Sequence, residues 1–297
     1  MRFILVLFIA CLTPLSANAL DVFACEPEWG SLVQELAGDK AAITVATTAF
    51  QDPHRLQAKP SLIAAMRGAD LVVCTGADLE IGWLPLLLRR AGSANVQPGS
   101  TGYFLAADFV RKLEVPTLID RSQGDIHPQG NPHVHLDPRN LRRISTALEQ
   151  RLAAIDPANA AHYESRLTDF QARWAAAIET WEERAAGLSG LRVATNHRSF
   201  SYLAAWLDIN VVATLEPRPG IPASGAQLAT LLEQLSPNPP AAVLRTPYSN
   251  ERPAIWLSER LDIPEVTLPY TVGGTTGAVD LFRLFDETIS MLQELSE

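Results

Sequence analysis

Basic residues are in short supply in this chain. There are 24 Lys and Arg against 33 Asp and Glu, for a formal net charge of −9. Nowhere does the positive charge gather into a cluster. This excludes the footprint of a nucleic-acid binder and argues against docking on an anionic membrane surface. Cysteine is scarcer, at three in 297 residues, and none of the three makes the short-spaced pair of a zinc-binding cysteine site. The zinc-protease signature H-E-x-x-H is missing, and no other recognised hydrolase motif replaces it. There is no strict internal repeat. Past the N-terminus no apolar run reaches the roughly 20 residues that a bilayer crossing requires.

The N-terminus itself is informative. Arg2 precedes an apolar run from Phe3 to Leu12, then Thr13-Pro14, then Ala17-Asn18-Ala19. A basic start, a short apolar stretch and an A-x-A site make a cleaved secretory signal peptide, residues 1–19, with the mature chain starting at Leu20. A lipoprotein reading at Cys11 fits less well, because the apolar stretch before it is very short. Export leaves Cys25 and Cys74, each near the end of a predicted strand, and an exported pair of this kind is expected to form a disulfide. The alternative is two separate buried thiols.

Along the mature chain, strand-like and helix-like segments alternate. LDVFAC, AITVATT and ADLVVCTG read as strands, with PEWGSLVQELAGD, PSLIAAMRG and Leu79–Arg90 as helices between and after them. Alternation without hairpin signals indicates a parallel sheet covered by helices on both faces. Residues 112–140 carry Gly124, Pro128, Gly130, Pro132 and Pro138 among three histidines, which is loop chemistry. A long helical run then extends from Ala158 to about Leu188, or roughly 47 Å. Phe170, Trp174, Ala177, Ile178 and Trp181 form its apolar stripe, read as ordinary core packing. The second half resumes with LRVATN and alternates to the end. The expected fold is α/β, two lobes of mainly parallel sheet flanked by helices and joined by one long backbone helix. The units are an N-terminal lobe at 20–155, the linking helix at 156–189 and a C-terminal lobe at 190–297.

Six histidines are few, and their places are telling. His54 stands in Gln51-Asp52-Pro53-His54, after the strand AITVATT. His197 stands in Thr195-Asn196-His197, after LRVAT and at a helix start. Ligands of open α/β sheets gather beyond the carboxyl ends of strands, so two histidines in equivalent positions of two lobes point into a shared cleft. A helix N-terminus disfavours a cationic imidazole, keeping His197 neutral as a metal ligand must be. His133 and His135 lie in Asn131-Pro132-His133-Val134-His135-Leu136-Asp137-Pro138. If that stretch is extended, both rings point to the same side, and spacing does not choose between them. His127 reads as a loop residue and His162 as a helix-surface residue.

The three motifs D-P-H, P-H-x-x-L-D-P and N-H-x-S-F-x-Y, in this order around a long helix, resemble the cluster A-I solute-binding proteins of ABC transporters. These are the zinc and manganese receptors of the ZnuA/TroA type. The resemblance spans essentially the whole mature chain. It implies a periplasmic, non-enzymatic receptor that holds a metal ion in the interlobe cleft and delivers it to an inner-membrane permease. It also implies His54, His133 and His197 as ligands, with His133 chosen over His135 by motif position. A monomer is expected, a metallochaperone is a second conceivable partner, and no nucleic acid is involved.

Two departures stand out. The His- and acid-rich loop common in zinc receptors is reduced here to Asp125, His127 and their neighbours. The carboxylate the family supplies after the last strand is replaced by Leu268-Pro269-Tyr270-Thr271-Val272-Gly273-Gly274. Water, Glu216, Asp52 and His135 are the candidates for the fourth position. Three imidazoles favour Zn2+, and the missing carboxylate argues against Mn2+, although copper and nickel also bind imidazole well. The competing reading is an exported zinc hydrolase using the same three histidines and a bound water, with Asp52 or Glu216 as its base.

Overall fold

The structure is a computed structural model and describes residues 19–117 and 127–295. The signal-peptide region, except for Ala19, and Asp125 of the reduced loop lie outside the described residues. The chain opens with β1 (Leu20–Ala24), α1 (Pro27–Ala37), β2 (Ala41–Val45), α2 (Pro60–Gly68), β3 (Leu71–Cys74), α3 (Leu84–Ala91) and β4 (Tyr103–Leu105). These strands make a four-stranded parallel sheet in the order β2-β1-β3-β4. A second sheet comes from β5 (Arg192–Thr195), β6 (Asn210–Thr214), β7 (Ala242–Arg245) and β8 (Glu265–Thr267). It is again all parallel, in the matching order β6-β5-β7-β8. Its helices are α6 (Ser201–Leu207), α7 (Gly225–Leu235), α8 (Arg252–Leu261) and α9 (Leu281–Gln293). The α/β alternation read from the sequence is present throughout. One strand escaped it, the three-residue edge strand β4.

Between the sheets run α4 (Pro138–Ile155) and α5 (Ala160–Arg184). The long helix is therefore shorter than its pattern. One-turn 3₁₀ segments, Pro157–Asn159 and Ala186–Leu188, take up its two ends. Its stripe is buried as expected, with Phe170, Trp174 and Trp181 at or below 1% exposure. The indole N–H of Trp174 donates to the Pro138 carbonyl at 2.8 Å, and that of Trp181 to Asp286 at 2.8 Å. One helix thus fastens the start of α4 and the middle of α9. The apolar interior is continuous along it, joining Leu32, Leu36 and Val73 of the first lobe to Val193, Leu244 and Phe285 of the second. Smaller apolar clusters fill the outer face of each sheet.

One local reading changes. Leu79–Arg90 is not one helix, because residues 79–83 are turns and α3 begins at Leu84. The Glu80 carboxylate turns inward to accept from Thr75 N–H at 2.7 Å and from Gly76 N–H, which holds the chain out of helix. Pro85 sits in the first turn of α3, where its missing N–H costs nothing. The Cys25–Cys74 disulfide is present, tying the ends of neighbouring β1 and β3 at a Cα separation of 4.8 Å. No helix among the described residues is long and apolar enough to cross a membrane.

Candidate metal centre

His54, His133 and His197 come together. One ring nitrogen from each lies within 4.8 Å of the others. The ring centroids are 5.8, 5.9 and 5.6 Å apart, and each pair is nearly perpendicular. That is a near-equilateral arrangement of three imidazoles around one point.

Each ring is held from behind through Nδ1. His54 Nδ1 meets Asp52 Oδ1 at 2.7 Å, and the same oxygen accepts the His54 backbone N–H at 3.0 Å. The loop bearing this pair is pinned by the Trp83 indole, which donates to the Pro53 carbonyl at 2.8 Å. Gly82 passes so near that a Cβ there would stand 3.0 Å from the His54 carbonyl oxygen. His197 Nδ1 meets Glu216 Oε2 at 2.7 Å, and Gly220 N–H donates to that same oxygen at 2.8 Å. His133 Nδ1 meets the Tyr270 hydroxyl at 2.7 Å, and its backbone N–H donates to Asn131 Oδ1. A carboxylate behind an imidazole places the proton on Nδ1 and leaves Nε2 as a lone pair, the form a metal needs. His133 Nε2 is buried without a hydrogen-bond partner.

The electrostatics agree with this arrangement. Burial, followed by the neighbouring His197, His54, His127 and His135, depresses the His133 pKa well below the usual imidazole value and keeps that ring neutral. Burial pushes the Asp52 carboxyl up, but its bonds to His54 prevail and hold it below its usual range. Asp52 and Glu216 place carboxylates directly behind two of the three rings, so a dication here would have its charge balanced one ring away.

His135 is elsewhere. Val134–Leu136 is a 3₁₀ turn rather than an extended strand, so the two rings of the motif diverge. His135 is fully buried, with Nε2 2.8 Å from the Tyr270 carbonyl and Nδ1 3.2 Å from Glu28 Oε1. The expectation that both rings share one side is corrected by this turn. So is the expectation that His54 and His197 occupy equivalent positions. His54 follows the second strand of its sheet and His197 the first of its own. The counterpart of the His54 loop is the end of β6, and Glu216 occupies it. Of the other fourth-position candidates, Asp52 and Glu216 each spend one oxygen on a ring Nδ1, and His135 spends its Nε2 on the Tyr270 carbonyl. His162 donates from Nε2 to the Ala37 carbonyl at 2.9 Å, as a packing residue of α5.

His127 was read as a loop residue, and the structure places it beside the group. Its Nε2 is 3.2 Å from His54 Nε2, and its Nδ1 is 3.1 Å from the Ala77 carbonyl. No motif in the sequence marks it. Two cavities open onto the centre. One of about 220 Å³ is bordered by Asp52, His54, His197, Glu216 and Tyr248. The other, about 390 Å³, is bordered by His127, His133, His197, Arg198 and Arg218.

Two parallel α/β sheets bound to one long helix, with a cluster of imidazoles in the cleft between them, define a two-lobed solute-binding receptor. The chain belongs to the ZnuA family, "Zinc-uptake complex component A periplasmic", whose model matches residues 22–295. It is similar to the "Manganese ABC transporter substrate-binding lipoprotein PsaA" of Streptococcus pneumoniae, 24% identical over 254 residues that cover 84% of this chain and 79% of the relative. The "Zinc-binding lipoprotein AdcA" of Streptococcus pneumoniae serotype 4 is 24% identical over 206 residues, 69% of this chain and 40% of the relative. Among solved structures, "Crystal structure of ZnuA" superposes with a TM-score of 0.76 at 19% identity, covering 94% of this chain and 98% of the other. The two-lobed fold expected from the sequence is therefore shown, and the family is one of receptors rather than enzymes.

Proposed function

We propose that this protein is the periplasmic receptor of an ABC importer for Zn2+, with His54, His133 and His197 as ligands. The observation that carries the reading is the convergence of three ring nitrogens whose Nδ1 atoms are each held from behind. Three nitrogen donors favour zinc, and manganese prefers more oxygen. In the stretch after β8, Tyr270 and Thr271 turn to His133 and Glu28 and offer no carboxylate. Residues 1–19 act as a cleaved signal peptide, and the units are 20–155, 156–189 and 190–297. The receptor works as a monomer and hands its ion to a membrane permease. The hydrolase reading fares worse, because the two carboxylates able to act as base are both engaged with His54 and His197.

Capture proceeds without large domain closure, since the apolar interior runs unbroken between the lobes along α5. The test is to express residues 20–297, strip the metal, and titrate with zinc, manganese and copper. His54→Ala, His133→Ala and His197→Ala each lose tight zinc binding by about 100-fold or more, and His162→Ala keeps it. Wild-type affinity in all three ligand variants would sink the proposal. The radius of gyration stays constant on adding zinc; a large contraction would contradict rigid capture.

A further inference from the structure

We infer that His127 supplies a fourth nitrogen to the bound ion and so sets the preference of the site for zinc over manganese. This rests on the three-histidine reading above and adds a residue that the sequence motifs leave out. The Ala77 carbonyl can only accept, so the His127 proton sits on Nδ1 and the Nε2 lone pair faces His54. His54 is fixed the same way by Asp52, so its Nε2 also presents a lone pair. Two lone pairs brought to 3.2 Å repel each other unless a cation lies between or beside them. In a tetrahedral zinc site with bonds of about 2.0–2.1 Å, neighbouring ligand nitrogens stand about 3.3–3.4 Å apart. The His54–His127 separation is already close to that edge length.

The remaining geometry agrees. His127 shares a cavity wall with His133 and His197, and its ring centroid is 5.2 Å from that of His54. Its nitrogen lies outside the 4.8 Å group and meets it at the His54 corner. An ion bound by the three core rings would draw His127 inward to complete the tetrahedron. Four nitrogens and no oxygen make a poor manganese site. Without His127 the fourth donor becomes a water oxygen, and the bias against manganese weakens.

The experiment is X-ray absorption spectroscopy of the mature zinc-loaded protein, with zinc and manganese affinities for wild type, His127→Phe and His127→Gln. The expected result is four imidazoles around zinc in the wild type and three in both variants. Zinc affinity falls at least about tenfold while manganese affinity holds or rises. Three imidazoles plus oxygen in the wild type, with unchanged zinc affinity in both variants, would overturn the inference and leave the three-histidine site standing. Full zinc binding in His54→Ala, His133→Ala and His197→Ala would instead remove the reading on which it rests. The spectrum of the wild type needs no variant, so a folding defect at position 127 does not spare the inference.

Discussion

The two lobes share one strand order and solve the same problem differently. In the first lobe, His54 and the carboxylate that orients it are two residues apart on one loop after β2. In the second, His197 follows β5 and its carboxylate, Glu216, follows β6, 19 residues later. The first arrangement is local and survives small movements of the sheet. The second depends on neighbouring strands keeping register and on the Glu216–Gly220 segment staying folded over its own carboxylate. The first lobe also carries two reinforcements under its strand ends, the disulfide and a buried carboxyl pair, Glu26 and Glu80. The lesson is that one side of the site is built rigid while the other is fastened by a single longer-range tie.

The largest test of this contrast removes the disulfide. Cys25→Ala with Cys74→Ala opens a 49-residue loop and costs about 2–5 kcal/mol in stability, measured by denaturant unfolding. Unchanged stability would remove the disulfide from the list of reinforcements.

The next concerns the buried carboxyl pair. Burial, with Glu80 and Glu28 nearby, raises the Glu26 pKa well above the ordinary carboxyl value, and burial raises Glu80 to about 7. Two buried carboxyls this close share a proton rather than both ionise, and Glu80 also accepts the Thr75 and Gly76 N–H groups. A group whose pKa is raised on folding stabilises fully below its unfolded value, near 4.5, and loses that contribution as pH climbs through the folded value. The metal-free protein should therefore lose up to about 3 kcal/mol between pH 5 and pH 8. Glu80→Gln should flatten that slope in thermal melts, and an equally steep slope in the variant would refute the assignment.

The smallest effect sharpens the comparison directly. Asp52→Ala and Glu216→Ala should each weaken zinc binding by about 10- to 100-fold. Glu216→Ala should cost more, because it also frees the Gly220 N–H and the segment it anchors. Equal losses by competitive chelator titration would mean that the longer tie is no more fragile than the local one.

Much of the fold was legible because hydrophobic periodicity reports it directly: alternating strands and helices, and an aromatic stripe on α5. β4 was missed because three residues at a sheet edge carry no periodicity. The start of α3 was misplaced because Glu80 takes its partners from Thr75 and Gly76, and those hydrogen bonds outweigh helix propensity. His54, His133 and His197 could be picked out as a set because strand ends and motif order pointed to them. His127 was noted only as a remnant of the reduced His- and acid-rich loop and read as a loop residue, since the contact that matters lies 73 residues away. Glu216 was singled out correctly as a group of the site but in another role, as the support of His197 rather than a candidate ligand.

The unbroken apolar interior along α5 has a meaning beyond rigidity. Leu36, Val193 and Phe285 belong to one packed body although they come from opposite halves of the chain. Each half keeps a smaller cluster of its own, but the largest apolar body is shared between them. The molecule should therefore unfold as a single cooperative unit despite its two sheets, giving one transition in calorimetry. The imidazole cluster therefore lies at an internal joint of one body, where local loosening draws on the stability of the whole.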